Sequence, residues 1–152
     1  MIRWAEPGCA PALAEIMFRA VREGESPYSE AQRAAWMPAR PEPAGFAARL
    51  AACDCAVAEE AGGTAGFMTL ARDGYIGLAF ILPQARGRGL FRALSDAIAA
   101  RARRHDMPRL WTHASLMAEP AFQATGFQVI QRESVQRSGQ HLCRALMERF
   151  LT

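Results

Sequence analysis

Phe80-Ile81-Leu82-Pro83-Gln84-Ala85-Arg86-Gly87-Arg88-Gly89-Leu90 runs from an apolar stretch, through a turn rich in glycine and arginine, into a long helical pattern. Pro83 stops a strand, because it cannot donate to the ladder. Gly87 and Gly89 let the backbone turn tightly and approach a ligand closely. Beyond them Leu90, Leu94, Ala97 and Ile98 recur at helical spacing and predict a helix over 89–105. The first amides of such a helix have no intrahelical partner, and together they carry roughly half a positive charge. A helix start reached through glycines therefore suits a phosphate, and Arg86 and Arg88 add charge at its mouth. The same residues also fit a plain helix cap with solvated arginines, so the surroundings must decide. No Gly-Lys-Ser/Thr follows, which speaks against a nucleotide P-loop. The flanking strands look antiparallel, which speaks against a dinucleotide fold.

On the N-terminal side, 75–82 reads as a strand with Gly77 marking a bulge or a close approach. Asp73-Gly74 is a hairpin signal that joins it to a strand over 64–72, and that strand to another over 55–60, as an antiparallel meander. Before the meander come a short strand over 2–4 and a helix opened by Pro11, with Leu13, Ile16, Met17, Ala20 and Val21 on one face. Gly24 stops that helix. Ser29 and Gln32 fit a capping box for a second helix over 30–36, and a third is expected over 44–52. On the C-terminal side the pattern predicts a strand over 109–113, a helix over 119–125 and a hairpin of strands over 128–135 and 140–150 around Ser138-Gly139. This order is an α+β arrangement in a single domain over 1–152.

The 152 residues are 51% apolar and 22% charged, as expected of a globular domain that folds without disulfides or metal. Cys53 and Cys55 do not have a zinc or redox spacing, and the four cysteines read as reduced thiols packed as small hydrophobes. No apolar run approaches the length of a membrane span, and the first residues show no basic stretch leading into an apolar one. The expected location is the cytoplasm. The net charge of +3 is too small to imply a nucleic-acid partner. A nucleic-acid module built on Arg86, Arg88, Arg92 and the arginines of 101–104 lacks any groove-reading or stacking motif. All 18 basic residues counted as Lys or Arg are arginine, so no side chain offers an aliphatic amine.

The stretch over 80–90 resembles the signature of the GNAT acetyltransferases: a strand ending in proline, then Gln/Arg-x-x-Gly-x-Gly/Ala. A second stretch, Ser115-Leu116-Met117-Ala118-Glu119-Pro120-Ala121-Phe122-Gln123-Ala124-Thr125-Gly126-Phe127, resembles the next motif of that family. There the pattern is Asn/Ser-x-x-Ala, an aromatic residue four further on, then Gly-Phe. Tyr28-Ser29 ahead of Trp36, and the closing hairpin, look like one bacterial branch of the family, so the resemblance covers nearly the whole chain. It implies the acyl-CoA N-acyltransferase fold, a mixed and mostly antiparallel sheet of about seven strands flanked by helices.

The resemblance also implies an acetyl-CoA-dependent N-acetyltransferase that moves the acetyl group to a primary amine by direct attack in a ternary complex. Acetyl-CoA is then the cosubstrate, with no metal and no membrane partner, and a homodimer is one assembly the family allows. The amides of Arg86, Gly87, Arg88, Gly89, Leu90 and Phe91 would hold the pyrophosphate. The main chain of Phe80, Ile81 and Leu82 would pair with the pantetheine arm. Ser115 matches a position that bonds that arm; it also fits a helix N-cap. The chain departs from the family twice. The strand over 75–82 has no carboxylate, and many relatives carry one where Gly77 stands. Phe122 replaces the usual tyrosine, the proton donor to the leaving thiolate. His113, Glu23, Glu25 and Asp73 are the remaining candidates for a base, with His113 placed near the expected thioester. If Glu23 and Glu25 line the acceptor pocket, they favour a cationic acceptor, with Tyr28 and Trp36 as an aromatic wall. The alternative is a catalytically weak acetyl-CoA-binding regulatory or sensor protein.

Overall fold

In the computed structural model, which describes residues 1–151, eight strands form two four-stranded sheets, with five α-helices around them. The first sheet is antiparallel, in the order β1 (Ile2–Trp4), β2 (Asp54–Glu60), β3 (Gly63–Leu70), β5 (Ala79–Ile81). The second runs β4 (Tyr75–Ile76), β6 (Arg109–Ser115), β8 (Gln140–Phe150), β7 (Gln128–Arg137), and only its β4–β6 pair is parallel.

Helix α1 (Ala10–Arg22) buries Leu13, Ile16, Met17, Ala20 and Val21, the face its periodicity marks. Helix α2 (Glu30–Trp36) begins at the Ser29–Gln32 capping box, with both reciprocal bonds made. Helix α3 (Pro43–Ala51) starts one residue earlier than its pattern suggests. The Glu42 carboxylate accepts from the amides of Ala44 and Gly45 and caps it. The remaining helices are α4 (Leu90–Arg104) and α5 (Glu119–Ala124).

The central strands divide their side chains between two cores, as the two-residue period of a strand requires. Ala56 and Ala58 of β2, with Met68 and Leu70 of β3, pack under α4 and against Ala114, Ala145 and Met147 of the second sheet. Cys55 and Val57 of β2, with Phe67 of β3, pack against α1, and Phe46 of α3 joins them. All four cysteines are free thiols. Burial pushes Cys55 up to about 12, whereas Cys143 is exposed and packs into neither core. Among the described residues no helix is long and apolar enough to cross a membrane.

The stretch over 75–82 corrects the meander expected from its sequence. The Asp73-Gly74 turn does form, with the Ala71 amide bonded to the Tyr75 carbonyl at 2.9 Å. Tyr75 and Ile76 then pair with Trp111 and Thr112 of β6 in the second sheet. Only Ala79–Ile81 return to β3 in the first. One strand on paper is two strands in two sheets, which raises the count to eight. Gly77 and Leu78 bridge the break, with the Leu78 carbonyl and amide both held by Thr69 of β3. The two sheets thus part between β4 and β5.

Candidate active site

The first half of the site is main chain. Gly87 and Gly89 hold φ of 78° and 81°, left-handed conformations that cost other residues roughly 1–2 kcal/mol. A Cβ placed on either would meet nothing within 4 Å. The glycines therefore serve the path of the turn and leave its outer side open. Gly89 caps α4 with no side chain across the helix end, so the leading amides of α4 are free. A cavity of about 350 Å³ lies in front of them, walled by β5, by Arg86 and Gly87, by Leu90 and Phe91, and by Met117, Ala118, Pro120 and Ala121.

The arginines of the turn do different things. The Arg86 guanidinium donates to the carbonyls of Ala20 and Glu25 at 2.9 and 3.2 Å, and burial lowers its pKa. It ties the turn to the end of α1. Arg88 is exposed and pairs with Glu60 at 2.9 Å.

Strand β5 lies at the edge of its sheet. The Leu78 carbonyl and the Leu82 amide both bond to β3, to the Thr69 amide and the Ala65 carbonyl. Alternation then turns the main-chain groups of Phe80 towards β3 as well, and those of Ala79 and Ile81 towards the open edge. Of the three residues expected to offer main chain to a ligand, Ile81 leaves its groups at the open edge, whereas Phe80 turns its own to β3 and Leu82 gives its amide to the Ala65 carbonyl and its carbonyl to the Ala85 amide. Ala79 shares that open edge.

The second half of the site is built from side chains. A cavity of about 360 Å³ opens beyond Phe80, which lines both cavities. Tyr75, His113 and Ser115 enter it from β4 and β6, Trp36 and Met37 from the end of α2, and Met17 from α1. Tyr75 stands beside Trp111 in the parallel pairing, and Trp111, His113 and Ser115 share the less buried face of β6. The Tyr75 hydroxyl lies 2.8 Å from His113 Nδ1. His113 Nε2 lies 3.8 Å from Glu133, which accepts from Arg144 Nε at 2.5 Å. Burial, then the Arg144 charge, hold the His113 pKa below the ordinary histidine value, against the opposing pull of Glu133. Burial holds the Tyr75 hydroxyl above the ordinary tyrosine value, with Arg144 and Arg49 opposing. Tyr28 fastens this wall, donating to the Cys143 carbonyl at 2.5 Å and accepting from the Leu116 amide at 2.9 Å.

Other expected site residues lie elsewhere. Glu23 is exposed at the end of α1, 3.2 Å from Arg19, and lines neither cavity. Glu25 also stays outside the second cavity. Phe122 is 2% exposed and stacks edge-on with Phe91 and Phe127, both at 4.9 Å. It is a core residue behind the groove. The Ser115 hydroxyl accepts from the Ala118 amide at 3.1 Å in the turn that precedes α5, whose own N-cap is Ala118, so Ser115 is not the helix cap; the residue borders the second cavity. Tyr75, Arg49, Arg144 and Glu133 were not singled out from the sequence. Alternation along 109–115 marks the face that carries His113, but nothing local names the strands and helix that meet it.

The fold and site define an α+β protein with a groove at a bare helix start, set in the cleft of a splayed sheet. The model of the acetyltransferase (GNAT) domain matches residues 25–148, and the chain belongs to that family. A GCN5-related N-acetyltransferase from Rhodopseudomonas palustris superposes with a TM-score of 0.91 at 29% identity, covering 99% of this chain and 95% of that one. A phosphinothricin acetyltransferase from Sinorhizobium meliloti, in complex with acetyl-CoA, superposes with a TM-score of 0.77 at 20% identity, over 99% of this chain and 88% of that one. For yncA from Salmonella typhimurium with its cofactor acetyl-CoA the values are 0.75 and 18%, over 100% and 94%. The likeness to the last two is one of fold. No curated protein sequence matches the chain significantly.

Proposed function

We propose that the protein transfers the acetyl group of acetyl-CoA to a primary amine of a small-molecule acceptor, by direct attack while both are bound. One observation carries this reading. The two cavities share Phe80 of β5, one faced by free backbone amides and the other by a hydrogen-bonded tyrosine–histidine pair.

The residues present fit the cofactor. The turn over 87–91 offers unpaired amides in open space, which suits a diphosphate, whereas the Arg86 amide is bonded to the Pro83 carbonyl at 3.4 Å. The free edge of β5 suits an amide-bearing arm, which can pair with it as an added strand would. Acetyl-CoA, when bound, supplies the acetyl group as an activated thioester.

The rest of the chemistry belongs to the chain. An alkylammonium with pKa about 10.4 is almost wholly protonated at neutral pH and must lose a proton before it can attack. His113, with its lowered pKa, is neutral at that pH. With its proton on Nε2, Nδ1 accepts from the Tyr75 hydroxyl. Tyr75 can then take a proton from the amine as it passes its own to His113, and Glu133 steadies the imidazolium. The arginines around the second cavity add to this, because a nearby positive charge lowers the pKa of an ammonium. Phe122 has no proton to give.

Release of free thiol from acetyl-CoA, measured against a panel of primary amines, tests this function. The expected outcome is acceptor-dependent release. Tight acetyl-CoA binding with no acceleration by any amine would instead favour the sensor reading.

A further inference from the structure

The second cavity is cationic. Arg49, Arg137 and Arg144 line it, and no aspartate or glutamate does. Arg144 is satisfied by Glu133. Among the described residues Arg137 is bonded only to the carbonyl of its neighbour Gln136. Among the described residues the Arg49 guanidinium has neither a carboxylate within ion-pair distance nor a hydrogen-bond partner. It sits over the break in the split strand: a Cβ built on Gly77 would lie 3.7 Å from Arg49 Nη2 and 3.5 Å from the Tyr75 ring. Gly77 does not have the positive φ that would demand glycine. The position is open to a side chain in space and in conformation, and it carries none. A free guanidinium thus faces the place beside the reacting hydroxyl where a carboxylate would fit.

We infer that the acceptor carries an oxyanion close to its amine, and that Arg49, with the charge of Arg137 in the same cavity, holds that oxyanion: the acceptor is an α-amino acid or a close analogue with an apolar side chain. This rests on the acetyl-transfer reading above. A guanidinium fork matches a carboxylate with two parallel bonds, stronger than neutral ones. Met17, Trp36, Met37 and Leu78 supply an apolar wall for the remainder of the molecule. The carboxylate takes no part in the bond change. The amine nitrogen bonds to the acetyl carbon, and the carbon–sulfur bond breaks with its electron pair on sulfur. Of the two protons lost from the ammonium, one ends on that sulfur and one in water.

The test compares L-methionine with L-methioninamide as acceptors, in the intact protein and in Arg49→Gln. The amide keeps the amine and the side chain and lacks the charge. Loss of one charge-assisted contact predicts a preference for the acid of roughly 10- to 100-fold in kcat/KM, carried by KM. Arg49→Gln should erase that preference and leave acetyl-CoA affinity by calorimetry unchanged. Gly77→Asp, which supplies Arg49 with a carboxylate from within, should erase it too. Equal use of acid and amide, or a preference that survives both substitutions, overturns the inference while leaving acetyl transfer standing. Acetylation of neither compound also overturns it. Failure of acetyl-CoA itself to bind brings down the proposed function as well.

Discussion

The two cavities that meet at Phe80 are made in opposite ways. The groove in front of α4 is a stretch of backbone, continuous in sequence, in which side chains matter mainly for their absence at Gly87 and Gly89. The cavity beyond it draws side chains from α1, α2, α3 and both sheets, and its chemistry depends on which of them meet. A ligand common to a family can be held by main-chain groups that survive sequence change. A ligand peculiar to one member needs side chains, and those are free to differ.

The sharpest way to separate the halves is His113→Ala. Removing a proton relay should lower turnover by about 10²- to 10⁴-fold while acetyl-CoA affinity by calorimetry stays the same. In the proposed relay His113 must be neutral to accept a proton, and its pKa is lowered. kcat/KM should therefore fall on the acid side with a midpoint below about 6.5, and the variant should lose that limb. Gly89→Val acts on the other half. The strained φ and the added bulk should weaken acetyl-CoA binding by roughly tenfold or more; an unaltered dissociation constant would remove the diphosphate from this turn. Phe122→Tyr asks whether that position belongs to the groove or to the core. Burying an unpaired hydroxyl should cost about 1–3 kcal/mol, read as an earlier denaturation midpoint, with no rise in turnover. A faster enzyme of unchanged stability would return the position to the chemistry. Arg88→Gln should do least. An exposed charge paired with Glu60 predicts no more than about a fivefold loss of affinity, shrinking further with added salt.

The same contrast explains what the sequence discloses. The turn over 86–89 and the helix after it declare themselves because glycine, proline and helical spacing are local signals. The buried face of α1 and the Ser29 cap are legible for the same reason. The split of 75–82 is not. Gly77 flags an irregularity there, but a parallel pairing of Tyr75 with Trp111 is decided by what packs across from each strand. Register decides the site as well. His113 could be named from its strand, whereas Tyr75, Glu133 and Arg49 reach it from β4, β7 and α3. Phe122 shows the opposite hazard: the motif marks its position, and the packing around Phe91 and Phe127 turns its ring into the core.

Arg86 makes the halves answer to each other. Its guanidinium is anchored on the carbonyls of Ala20 and Glu25, at the root of the segment that leads to Tyr28 in the second cavity. Whatever stills the turn at one end of this strut also stills the loop at the other, and such coupling runs equally in both directions. Under the proposed transfer, the first substrate to arrive should therefore ready the seat of the second.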